Sequence, residues 1–330
     1  MFSWQNHPLS PLTLLGMLIG CVVVLAIVLG IVTYLIYFER KVIGWMQGRI
    51  GPNRVGPLGL LQSVADVLKL LIKEDIIPAN ADRALFLVAP AIAFVPSFMV
   101  LAVIPYTASH IFTANLNVGL LYYIALSSIT ILGVVMAGWA SNNKYSLLGG
   151  MRSAAQMISY EIPLGLSVLG VVMLAGSLNL VTIVQHQSTD RFGWYIIPQI
   201  IGFVVFLIAA IAELNRTPFD LPEAESELVA GYFTEYSGFR FAFFMLSEYV
   251  YVFAISALAT TLFLGGWAGP LLPSWLWFAI KTSAIIFFLF WVRATMPRMR
   301  GDQLMSFAWK VLIPIALFNV VLTGALSLIG

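Results

Sequence analysis

Eight uninterrupted apolar runs leave this chain little choice of fold. They lie near residues 12–38, 84–105, 118–140, 156–179, 195–214, 239–264, 275–293 and 307–328. Each is close to the roughly 20 residues that a helix needs to cross about 30 Å of hydrocarbon. Apolar residues run continuously instead of alternating, so membrane strands are excluded, and helices must satisfy the backbone within each segment. The chain has 330 residues, 60% hydrophobic and 10% charged, which is a membrane composition. The expected fold is an all-α polytopic membrane protein, one membrane domain over 1–330 with eight transmembrane helices. The opening MFSWQNHPLSP has no basic n-region and precedes a run too long for a signal peptide, so the first run is expected to be a retained span.

Lys and Arg set the expected orientation. Of the 17 basic residues, 14 fall in the first, third, fifth and seventh connections, while Arg191 stands alone in the even ones and Lys281 and Lys310 lie in or beside helices. The positive-inside rule then puts the odd connections in the cytoplasm and both termini outside. Tryptophans at or near the span ends, such as Trp45, Trp139, Trp194 and Trp275, suit the interface. A net charge of only +2 and the lack of a basic run argue against nucleic acid as a partner.

The first connection, residues 39–83, has two parts. FERKVIGWMQGRIGPNRVGP carries too many Gly and Pro for a regular element, and it has no GK[ST] for a phosphate loop. LLQSVADVLKLLIKED then places Leu60, Leu61, Val64, Val67, Leu68, Leu71 and Ile72 on one helical face and Gln62, Asp66, Lys69 and Lys73 on the other. At about 15 residues it suits the interface plane, either resting on lipid or forming one lip of an opening for a lipid-soluble molecule.

The acidic stretch 213–240 carries Glu213, Asp220, Glu223, Glu225, Glu227 and Glu235 against Arg216 and Arg240, a local charge of −4. Asp220-Leu-Pro-Glu223 reads as a capping box opening a helix, with Glu223 and Glu227 on one face. Like charges at that spacing titrate as a coupled group where water is partly excluded. Two more acids lie inside spans: Glu161, two residues before Pro163, and Glu248, about 12 Å in from Arg240. Carboxylates at such depth are expected to be neutral or paired, to face the bundle interior and to have a function. Structural ion pairs are the alternative, though acids outnumber the nearby bases. Together these residues describe a line of protonatable groups from a loop into the membrane. Cys21 is the sole cysteine, and His7, His110 and His186 lack metal-ligand spacing. No redox centre is therefore expected in this chain, and electrons must come from partners.

Five stretches carry a resemblance: ERKVIGWMQGRIGPNRVGPLGLLQSVADVLKLLIKED, GWASNNKYSLLGGMRSAAQMISYE, AELNRTPFDLPEAESELVAGYFTEYSG, the SEY around Glu248, and RATMPRMRGDQLMSFAWK. Across nearly its whole length the sequence resembles the quinone-tunnel membrane-subunit family of bacterial proton-translocating NADH:quinone oxidoreductase, respiratory complex I, whose mitochondrial counterpart is encoded in organellar DNA. The resemblance implies an eight-helix protein of the bacterial inner membrane, without a redox centre, that forms much of the quinone tunnel. It implies quinone as substrate, and FMN and iron–sulfur clusters in partner subunits. It further implies that Glu39, Arg40, Arg49 and Asp66 frame the quinone entrance and tunnel. Arg216, Asp220, Glu223, Glu225 and Glu227 would form the loop facing the quinone-site subunits, and Glu161, Glu213 and Glu248 the charged link toward the other membrane-arm subunits. Some members carry a carboxylate in the third span; LLYYIALSSITILGVVMAGW has none, so continuity there would depend on water or a partner chain.

Two other readings compete. The membrane subunit of an energy-converting hydrogenase would use a similar charged core without quinone. A stand-alone proton-coupled permease would place charged groups at the midplane, whereas here they concentrate toward one side.

Overall fold

The computed structural model describes residues 11–109, 113–189, 193–222 and 228–329, excepting the side chains of residues 11–14, 17, 18, 21, 24 and 329. Among these it is all-helical. In chain order the helices are α1 (Pro11–Met46), α2 (Gln62–Ile72), α3 (Arg83–Met99), α4 (Gly119–Ala140), α5 (Lys144–Ala175), α6 (Leu180–Thr189) and α7 (Ile200–Glu213). They continue with α8 (Gly238–Phe263), α9 (Ser274–Thr295), α10 (Gly301–Phe307) and α11 (Ile313–Ile329). Six helical stretches among the described residues are long and apolar enough to cross a membrane, and α7 is a shorter apolar helix. With the 36-residue α1, the arrangement is consistent with eight spans.

Several boundaries depart from the expected ones. Glu39, Arg40 and Lys41 belong to α1, which runs on to Met46 instead of ending at residue 38. Helix α5 starts at Lys144, twelve residues before its apolar run, because the Asn143 side chain accepts from Tyr145 N–H and caps it. Pro198 lies in the turn before α7 and not within a span, while Pro314 follows a π-helical turn (Ala308–Leu312) that joins α10 to α11. A proline cannot donate to the preceding turn, and a local π register is one way to absorb that. Helix α6, too short to span, adds to the expected elements; Asn179 Oδ1 accepts from Val181 and Thr182 N–H and starts it.

Helix α8 is the hub. It packs against α1, α2, α3, α6, α7 and α9, and its Ala254, Ala257, Leu258 and Ala259 are fully buried. Helix α5 packs against α4, α7 and α11. Small residues bring the helices close: a Cβ on Gly133 of α4 would sit 2.7 Å from Ala93 N of α3. On α11, Phe318 and Val321 are exposed, as a lipid-facing or subunit-facing helix requires.

Candidate functional site

The acids gather in two groups. The first is built on Arg216, in the turn that follows α7. Arg216 is 5% exposed, and it donates from Nη1 to Glu39 Oε2 of α1 at 2.9 Å and from Nε to Glu248 Oε1 of α8 at 3.3 Å. Arg293 of α9 donates to the other oxygen of Glu39. Tyr249 completes the cage, its ring centroid 4.4 Å from the Arg216 guanidinium. Burial opposes the charge on Arg216, but Glu39 and then Glu248 outweigh it and hold its pKa above the usual arginine value. Two carboxylates and two guanidiniums balance, so this network can be buried only as a set. Arg216 Nη2 is left without a hydrogen-bond partner among the described residues.

The second group lies between α4, α5 and α7. Ser128 of α4 donates to Glu161 Oε1. Glu213, the last residue of α7, lies against Ser127 and close enough to Glu161 for the two carboxylates to repel. The Tyr123 and Tyr251 hydroxyls are within electrostatic reach of Glu213. Lacking a carboxylate of its own, α4 thus contributes the hydroxyls of Ser127, Ser128 and Thr130.

A cavity of about 50 Å³ joins the groups, with both Glu213 and Glu248 in its wall beside Thr130, Asn215, Ser247 and Tyr251. One ordered water needs roughly 10–15 Å³ on this measure and two to four polar partners. The space therefore fits a few waters. Asn215 Oδ1 is buried without a protein partner among the described residues and offers one of them an acceptor.

Not every expected residue joins. Asp220 lies close enough to Glu248 to act on it electrostatically. Arg40 instead pairs with Asp66 at 2.6 Å, which also accepts from Gln62, and so ties α2 to the end of α1. Arg49 is exposed and donates to Gln47 at 2.6 Å, away from both groups. Glu223, Glu225 and Glu227, with the helix expected after Asp220, lie outside the described residues. Glu235 accepts from Asn143, and Arg240 pairs with Asp75 at 3.0 Å, so these two hold the connections in place. All seven apolar residues of the amphipathic segment, Leu60 to Ile72, are exposed. The apolar face of α2 is turned away from the bundle.

The NADH dehydrogenase family model matches residues 19–324. The chain belongs to this family. It is 67% identical over 317 residues to the H subunit of NADH-quinone oxidoreductase from Brevibacillus brevis, covering 94% of this chain and 93% of the relative. The protein of the same name from Bacillus mycoides is likewise 67% identical, over 93% of this chain and 92% of its own length. Sequence reasoning singles out Glu39, Glu161, Glu213, Arg216 and Glu248, which the two groups contain, but misses Arg293 as a site residue, since it reads only as an inside charge. It also misses Tyr249 and the α4 hydroxyls. The signal is present in Ser127-Ser128-Ile-Thr130, three hydroxyls within one apolar span.

Proposed function

We infer that this chain is the membrane subunit of a proton-translocating NADH:quinone oxidoreductase, forms part of its quinone tunnel, and couples quinone reduction to proton movement through its buried carboxylates. The cavity shared by Glu213 and Glu248 is the observation that carries this reading. It sets one carboxylate from each charged group on a shared space with room for water, which makes a path between them. Electrons come from flavin and iron–sulfur centres in partner subunits, and reducing a quinone to quinol consumes two electrons and two protons.

The chemistry asked of this chain is charge redistribution. Arg216 is shared between Glu39 and Glu248, and its bond to Glu248 is the longer. Its Nη2 is a spare donor for a water or a ligand oxygen. An anion developing near Arg216 would draw it from Glu248 first. A carboxylate left unpaired in such surroundings takes a proton, because burying its charge costs several kcal/mol. Water in the cavity can relay that proton from a protonated Glu213, which leaves Glu213 charged beside Glu161 and so draws a replacement proton to this pair.

The two ends of the path also suit the role. The outward apolar face of α2, fastened to α1 by Arg40 and Asp66, suits a lipid-soluble substrate entering from the bilayer. Glu161, only partly buried and followed by exposed Ile162, is too costly to leave against lipid. A neighbouring membrane protein of the complex placed over the α4–α5 seam would cover it. The odd connections then face the cytoplasm and both termini the opposite side.

The test uses the intact complex in membranes. E161Q and E248Q should each lower NADH oxidation with quinone about tenfold or more, while the rate with a water-soluble artificial acceptor stays at the parental level. Parental quinone rates in both variants would remove the carboxylate path.

A further inference from the structure

Gln156 of α5 takes no part in either acidic group, yet it is fully buried and reaches the one segment that serves both. Its Nε2 donates to Ala212 O at 2.7 Å and to Phe219 O at 2.7 Å. Those carbonyls stand at the two ends of the turn that leaves α7, with Glu213 directly after the first and Arg216 between them. The turn is tight: Asn215 has φ +51°, Arg216 N–H returns to Ile211 O at 3.4 Å, and Phe219 N–H donates to Arg216 O at 2.8 Å. One amide thus bridges the mouth of the loop that carries Arg216.

Its neighbours on α5 reinforce the grip. Ser153 Oγ accepts from Asn215 Nδ2 at 3.0 Å, and the Tyr160 ring packs 5.5 Å from that of Phe219. Residues 153, 156 and 160 follow the helical repeat and present one face to the turn. Glu161 lies five residues beyond Gln156 on the same helix, so the helix that clasps the turn also carries the carboxylate facing Glu213.

We propose that Gln156 is a positioning residue whose two amide donations hold Glu213 in register with Glu161 and fix the backbone under Arg216, so that charge moves at these groups by side-chain motion alone. The proposal rests on the functional reading above and adds a residue to it. A loose turn would let Glu213 and Arg216 drift together, and distances set to a few tenths of an ångström would be lost to both groups at once.

Q156M keeps the volume and removes both donors. In the assembled complex it should lower kcat with quinone about fivefold, leave KM for quinone near the parental value, and leave electron transfer to a soluble acceptor unchanged. In an E213Q background the same change should cost only about twofold, because its hold on Glu213 no longer matters and only its hold on the backbone under Arg216 remains. A parental kcat in Q156M, or a full fivefold loss on top of E213Q, overturns the proposal. If Q156M does not assemble, Q156N, which can reach only one of the two carbonyls, is put through the same cycle and judged by the same non-additivity. An E213Q single variant with unaltered quinone kcat would count against the functional reading itself, whatever Q156M does.

Discussion

Arg216 and Lys281 are both 5% exposed; Arg216 meets α8 near its middle, at Glu248, and Lys281 meets it just past its C-terminal end, at Leu264 O. Their surroundings differ in kind. Arg216 is held by two carboxylates, either of which can gain a proton or lose its partner, and its Nη2 has no partner among the described residues. Lys281 Nζ donates to three backbone carbonyls, Leu264 O at 2.6 Å, Gly266 O at 3.1 Å and Ala268 O at 2.6 Å, with the Trp194 and Trp277 ring centroids at 4.4 and 5.5 Å. All three ammonium donors are used, and carbonyls do not titrate. A cation held by carboxylates can be rearranged by a change of charge nearby, whereas one held by main-chain oxygens and indole faces locks the end of a helix. This lysine sits where the negative end of the α8 dipole favours it.

That contrast predicts a division between activity and stability. Arg216→Leu should have the largest effect: it strips Glu248 of the ion-pair partner it has among the described residues and leaves Glu39 to Arg293, a defect worth about 3–5 kcal/mol in buried pairs. Quinone-linked NADH oxidation by the assembled complex should fall about 100-fold or more, with less complex recovered from membranes. Activity within a few-fold of the parent would erase the distinction between the two cations.

Lys281→Met should do the reverse. Three carbonyls lose their donor, and thermal inactivation of the purified complex should come at lower temperature, by an amount matching about 1–3 kcal/mol. The quinone rate per assembled complex should stay within about twofold. A large kcat loss without a change in thermal behaviour would place Lys281 in the charge path.

Ser128→Ala sharpens the comparison at its polar end, since it takes a hydroxyl donor from Glu161 but leaves the carboxylate. A loss of about threefold in quinone rate is expected, smaller than that of E161Q, measured on the two variants side by side in one membrane preparation. Leu68→Ser should be the mildest. Leu68 is 53% exposed, so folding should be untouched, and KM should rise about two- to threefold for long-tailed quinones and stay level for short ones. An equal rise for both would remove α2 from the entrance.

The sequence makes the acids conspicuous because charge inside an apolar run has few innocent explanations, and the fold gathers Glu161 with Glu213 and Glu248 with Arg216. It does not say which way Arg49 points, because a loop arginine reads the same turned inward or out; here it is exposed beside Gln47. Arg293 is hidden for the related reason that every inside connection carries such cations. Gln156 is invisible: a neutral amide in a small-residue stretch gains meaning only from the two carbonyls it meets, 56 and 63 residues away in the chain.

The all-helical membrane fold, the approximate span positions and the amphipathic character of α2 follow from the sequence alone, because hydropathy and the need to satisfy every backbone hydrogen bond are local, additive properties. Which acid pairs with which base is neither. Glu39 and Arg293 are separated by 254 residues, and only the packing of α1 and α9 around α8 makes them partners. The cavity that joins Glu213 to Glu248 belongs to no segment either; it is the space that several helices leave between them.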